Sequence, residues 1–276
     1  QLRGVVAWLC SFNNDLYQII REKEPEILIQ SDITLFSDND KETIFRAILD
    51  NYETSSLQIR FFDLTSQYKK LNHSNLGNQI GEYVLNPDNP HNVKYFAIRV
   101  AKECDLNTLS PILIRLVLND DEHIQTRIAA GHALESFSHS CVIEGIEELI
   151  PIALLDDPIN DRFDLKGLCL NILWPQFIEL NDLINHLPEP TLGRIDSYYS
   201  FIGQNFIEKL PETEIAAALI WFQENSANFS DFSIFHKTLE QILAKSLNFT
   251  ANEVIFNTLC QTLSTFILNR YYSRQE

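Results

Sequence analysis

The chain is 276 residues long and carries 21 lysines and arginines against 38 aspartates and glutamates, a formal net charge of −17. That length buries a substantial core in one long domain or two, and a 45% hydrophobic share is that of a globular chain rather than a disordered one. The charge argues against wrapping a nucleic-acid backbone, which needs a clustered basic face, and the apolar runs near 146–155 and 216–222 are too short or too interrupted for a bilayer, which takes about 20 residues.

The acidity has two readings: a solubility charge, or a groove that attracts a basic partner. Five cysteines, Cys10, Cys104, Cys141, Cys169 and Cys260, are odd in number and scattered, with no Cys-x-x-Cys. Free thiols in a reducing compartment explain them, so the expected localisation is cytoplasmic. The sequons at Asn72, Asn228 and Asn248 are then chance matches. There is no methionine. Helical pattern begins at once after Gln1, without the organisation of a secretory signal, which points to a segment of a longer protein.

In chain order, residues 1–88 predict helices of uneven length joined by polar turns such as Asn72-His73-Ser74-Asn75. Ser37 followed by Asp40 is a capping signal, and Ile44, Phe45, Ile48, Leu49 and Tyr52 form the apolar stripe of the helix it opens. Leu57–Leu64 is the one stretch compatible with a strand. Elsewhere alternation is lacking and only 8 glycines occur, so the predicted class is all-α.

Residues 89–187 repeat. Val93-Lys94-Tyr95-Phe96-Ala97, Thr126-Arg127-Ile128-Ala129-Ala130 and Leu165-Lys166-Gly167-Leu168-Cys169 each place a cation second, followed by small residues where a neighbouring helix must approach. The copies lie 33 and 39 residues apart, and acidic or Asn-Pro turns precede them. Asn119 with Glu122 predicts the start of the second. Val142, Ile143, Ile146, Leu149, Ile150, Ala153 and Leu154 form a further stripe, and Pro111 and Pro151 fall 40 residues apart in related places. The pattern predicts an irregular HEAT-like α-solenoid of antiparallel helix pairs, with an ordinary helical bundle as the alternative. A Lys or Arg near a helix start is disfavoured by the helix dipole, so its recurrence predicts a partner: acidic turn residues or carbonyls of the adjoining unit.

Pro188-Glu189-Pro190-Thr191 breaks the pattern, and 188–276 read as an aromatic-rich helical subdomain with helices near 197–209, 212–225, 232–246 and 251–272. Its Tyr198, Tyr199, Phe201, Phe206, Trp221, Phe222, Phe229, Phe232 and Phe235 read as core.

Chemistry is sparse. Walker A, Gly-x-Gly-x-x-Gly and Gly-x-Ser-x-Gly loops are absent. The seven histidines, His73, His91, His123, His132, His139, His186 and His236, form no metal pair one helical turn apart. A Cys–His pair from Cys141 with His139 or His132 lacks a third group, and Asp120-Asp121-Glu122 and Asp156-Asp157 read as helix caps. No catalytic, cofactor-binding or metal-ligating residue is predicted, and the ligand-binding residues are left open.

The run Asp164–Pro175, with Leu165-Lys166-Gly167 and then Leu173-Trp174-Pro175, resembles the helical C-terminal region of bacterial NACHT-type NTPases of the STAND class. The segments Leu180–Leu187, Pro188–Pro190, Tyr198–Phe201 and Ala218–Trp221 follow in the order found there, and Glu24–Asp32 is similar to that family's link between NTPase and repeats. The resemblance implies a non-catalytic sensor, autoinhibitory or protein-interaction module of a signalling switch, a class with members in bacterial antiviral defence. ATP or GTP would bind only in a region upstream of Gln1. The expected partner is a protein or the intramolecular NTPase domain, not nucleic acid or membrane. The alternatives are a stand-alone HEAT-repeat scaffold and, from another class, a helical-repeat nucleic-acid enzyme.

Overall fold

A computed structural model describes residues 2–30, 33, 36–54, 65–156, 162–189, 196–226, 229 and 233–272, with side chains described to 265 in the last stretch. The protein is all-helical, and no strand occurs among the described residues. The possible strand at Leu57–Leu64 lies outside them. Two compact units divide the chain, residues 1–145 and 146–276.

In the first unit, α1 (Leu2–Cys10) and α2 (Asn14–Lys23) precede a 3-10 segment, Pro25–Gln30, whose Ile27, Leu28 and Ile29 are buried. The helix α3 (Asp38–Thr54) opens as the sequence predicts. Asp40 N–H donates to Ser37 Oγ (3.2 Å) while the Ser37 hydroxyl and N–H donate to the Asp40 carboxylate (2.6 and 3.3 Å), a reciprocal cap. A second 3-10 segment, Thr65–Leu71, leads to α4 (Leu76–Leu85), α5 (His91–Glu103), α6 (Ser110–Leu118) and α7 (Ile124–Ser138). Phe96 of α5 sits at the centre of the core, its ring 5.1 Å from Tyr52, 5.4 Å from Tyr68 and 6.2 Å from Phe45.

Neighbouring helices of this unit run side by side. Asp38 accepts from Ser74 N–H (2.9 Å) and Glu53, at the far end of α3, accepts from Tyr83 Oη (2.5 Å), so α3 and α4 point the same way. The α5 and α7 starts meet through stacked His91 and His123 rings (3.8 Å) and a Lys94–Glu122 ion pair (2.8 Å). α7 packs on both α5 and α6.

The second unit contains α8 (Ile150–Ala153), α9 (Arg162–Leu173), α10 (Leu180–Ile184), α11 (Ser197–Ser200), a π turn at Phe201–Asn205, α12 (Phe206–Lys209), α13 (Ile215–Asn225), α14 (Ile234–Ser246) and α15 (Glu253–Tyr272). α9 and the 197–209 segment run in register. Ser197 N–H donates to Asp164 (2.8 Å), Asn205 to Asn171 (2.9 Å) and Trp174 Nε1 to the Phe206 carbonyl (3.3 Å). α14 lies along the same segment, with Thr238 donating to the Ile202 carbonyl (3.1 Å). Tyr198, Phe201, Phe206, Phe222 and Phe235 are buried, as expected for core aromatics, whereas Tyr199 is exposed; Phe232 lies outside the described residues.

Two local expectations are corrected. Asn119 and Glu122 do not start α7: its cap is His123, whose Nδ1 accepts from Gln125 N–H (3.2 Å), and Glu122 is used by Lys94 instead. The stripe Val142–Leu154 is not one helix. Val142 is 95% exposed in the turn before Gly145, which has φ of 75°, a left-handed conformation that ends regular pairing. Only Ile146–Leu149 (3-10) and α8 are helical there. Pro111 and Pro151 do occupy related places, each in the first turn of an α-helix that follows a 3-10 segment, where a missing N–H costs nothing.

Candidate interaction surfaces

The recurrent cations are the first residues whose placement bears on the repeat. The Lys94 ammonium, nearly fully buried, pairs with Glu122. Arg127 donates through Nε to the Val117 carbonyl (2.9 Å) and through NH1 to Asp120 (2.6 Å). Lys166 is fully buried and donates to the Ala153 (2.6 Å) and Leu155 (2.9 Å) carbonyls, with Tyr198 beneath its ammonium. Each cation has the kind of partner the sequence predicts. The last two satisfy carbonyls at a helix C-terminus, which have no intrahelical donor. Lys209, donating to the Asn171 carbonyl (2.6 Å), and Lys245, donating to those of Ile207 (2.6 Å) and Leu210 (2.8 Å), repeat the device further along the chain. Sequence pattern had not marked them, because neither sits in a recognisable repeat copy.

Cys141, His139 and His132 each have partners other than one another. The Cys141 thiol donates to the Phe137 carbonyl (3.5 Å) and accepts from Asn107 (3.7 Å), while His139 Nδ1 meets the Glu135 carbonyl (2.9 Å) and His132 faces the Glu135 carboxylate (3.7 Å). No group of three metal-binding side chains converges among the described residues. Asp120 and Asp156 serve Arg127 and His186; Asp157 lies outside the described residues. No described helix is long and apolar enough to cross a membrane.

Among the described residues of the first unit, three surfaces offer room for a partner. A polar groove between α5 and α7 is lined by Tyr95, Arg99, Lys102, His132, Glu135 and His139, in two adjoining hollows of about 420 and 210 Å³. A cleft of about 440 Å³ between α4 and the 107–112 region is lined by Gly77, Gly81, Leu85, Leu109 and Ile112, with His73 at its edge. α4 approaches closely there: a Cβ on Gly81 would stand 3.0 Å from Ile112 Cδ1. The third is the outer face of α1, where Leu2, Val5, Trp8 and Leu9 are exposed, with Phe12 beyond its end.

His73 is 7% exposed, and neither ring nitrogen has a hydrogen-bond partner. Burial pulls its pKa below the ordinary imidazole value, with the Glu42 and Asp38 carboxylates and the neighbouring Gln79 amide pulling the other way. The sequence shows only a polar turn at that point, so the burial was not legible there. No family model, curated protein or solved structure matches the chain.

Proposed function

We propose that the chain is a non-catalytic interaction module built of HEAT-like helix pairs, acting as the sensor or autoinhibitory part of a NACHT-type signalling NTPase. The observation that carries the repeat part is the reach of its bonds. Many side-chain hydrogen bonds between packed elements join residues 28 apart, as at Lys94–Glu122, to 42 apart, as at Gln223–Thr265, beside shorter ones to the preceding helix at Arg127–Val117 and Lys166–Ala153. Bonds of both lengths, to the preceding helix and to the element roughly 30–40 residues away, are what stacked helix pairs that touch only their neighbours would make, and they support the reading. The Asp164–Pro175 run that carries the family resemblance supports the same view. Its Gly167 and Trp174 meet Tyr198 and Phe206 of the next segment, so its residue types answer to helix stacking rather than to chemistry.

A stack of this kind presents grooves between successive helices, and the reading assigns the polar α5–α7 groove to a protein partner. Two measurements test the proposal. The encoding gene should specify a Gly-x-x-x-x-Gly-Lys-Ser/Thr phosphate loop upstream of Gln1, and deleting residues 1–276 from the full-length product should raise its nucleotide hydrolysis. A gene without that loop defeats the NTPase assignment and leaves the stand-alone scaffold. Salt-sensitive binding of duplex DNA by the isolated chain would instead favour the nucleic-acid reading.

A further inference from the structure

The turn 72–75 ties the N-terminal half of α3 to α4 through a set of polar bonds. Lys41 Nζ donates to the Asn72 carbonyl (3.2 Å) and Ser74 N–H to Asp38 (2.9 Å). Asn75 donates to the Glu42 carboxylate (3.3 Å), and Gln79 Nε2 to the Glu42 carbonyl (3.2 Å). His73 sits within this set, buried, with both ring nitrogens unbonded. The groups around it are Asp38, Lys41 and Glu42 from α3 and Gln79 from α4; Gln79 Oε1 is buried and unbonded as well.

We propose that His73 makes the α3–α4 junction acid-labile, so that proton uptake by its imidazole parts the turn from α3 and opens the adjoining cleft. A neutral imidazole leaves one N–H without an acceptor when buried; an imidazolium leaves two, together with a charge. The Asp38 carboxylate already accepts from Ser74, and Glu42 from Asn75 and Arg46. Gln79 Oε1 can take one of the imidazolium N–H groups, but the charge then stays in a site shut off from water, where burial outweighs the neighbouring carboxylates. Opening the turn hydrates the ring instead. The parted state binds a proton that the closed state refuses, so acidification below the ordinary imidazole pKa of about 6.5 shifts the junction toward the open state. Opening loosens the α4 wall of the cleft and uncovers the buried Leu109 that lines it, which makes the cleft pH-gated.

The test is hydrogen exchange of the full chain between pH 7.5 and pH 5.5, expressed as protection factors so that intrinsic rates cancel. Protection of the α4 amides should fall by up to about tenfold per pH unit below pH 6.5, the limit set by one proton, while α9 amides in the same sample hold theirs. In His73→Gln the pH dependence of α4 should disappear. A second readout is independent of that variant's folding: NMR titration of the His73 ring should give a midpoint below about 6.5. A midpoint at or above that value overturns the proposal. So does an unchanged α4 protection in the wild type, or the same fall in His73→Gln.

Discussion

Lys166 and Gly167 are adjacent in the chain and show two different demands of close helix packing. Burial pushes the Lys166 ammonium down to about 8, against the Asp156 carboxylate, which favours the charge. Neutral lysine keeps two N–H donors, enough for the Ala153 and Leu155 carbonyls. Because the folded value lies below the unfolded value of about 10.4, the unfolded chain binds more protons between them and stability rises with pH in that window. Urea unfolding of wild type and Lys166→Met at pH 7 and pH 9.5 should therefore show a difference that grows in favour of wild type, by at most about 1.4 kcal/mol per pH unit above 8. A difference independent of pH would show that the lysine is not held in that environment. At Gly167 a Cβ would collide with the α11 backbone, at the Tyr198 amide nitrogen. Helix propensity alone makes Gly167→Ala favourable by about 1 kcal/mol. The expected result is the opposite, a loss of roughly 3 kcal/mol or more, since backbone cannot step aside as a side chain can. A stabilised variant in thermal melting would refute the close approach.

At the scale of the element, α7 shows how a cation holds one helix to the end of another. Arg127→Ala removes the donor to the Val117 carbonyl and the partner of Asp120, and should cost about 2–3 kcal/mol. Lys70, in the 3-10 segment Thr65–Leu71, is no neutral control, because it donates to the Ile29 carbonyl (3.4 Å). Lys237→Ala, on the exposed side of α14, serves better and should change stability by less than about 0.5 kcal/mol. Equal small losses in chemical denaturation would reduce the repeated cations to surface groups. The start of α3 was legible from Ser37 and Asp40 because a capping box is made by residues three apart. The start of α7 was misplaced because its apparent cap acid, Glu122, is taken by Lys94 of another helix. α9 shows why periodicity fades: Leu165 through Leu173 are buried without interruption, so no polar face remains to set a phase.

At the scale of the whole molecule, two compact units whose elements bond to near neighbours in the chain predict that damage stays local. Arg127→Ala should lower hydrogen-exchange protection in α5, α6 and α7 and leave α13 to α15 unchanged; a uniform loss would indicate one cooperative unit. The sequence by itself determined the helical class, the places of α3, α5 and α11 to α15 to within a few residues, and the need of Lys94, Arg127 and Lys166 for partners. All of these follow from residues within a few turns of one another. Only the tertiary structure decided which carbonyls Lys166 and Lys245 satisfy, that Val142 faces solvent, and that His73 lies buried between α3 and α4. The lysine partners and the burial of His73 depend on elements 10 or more residues away, and the pattern of polar and apolar residues within a single helix carries no record of what is packed against it.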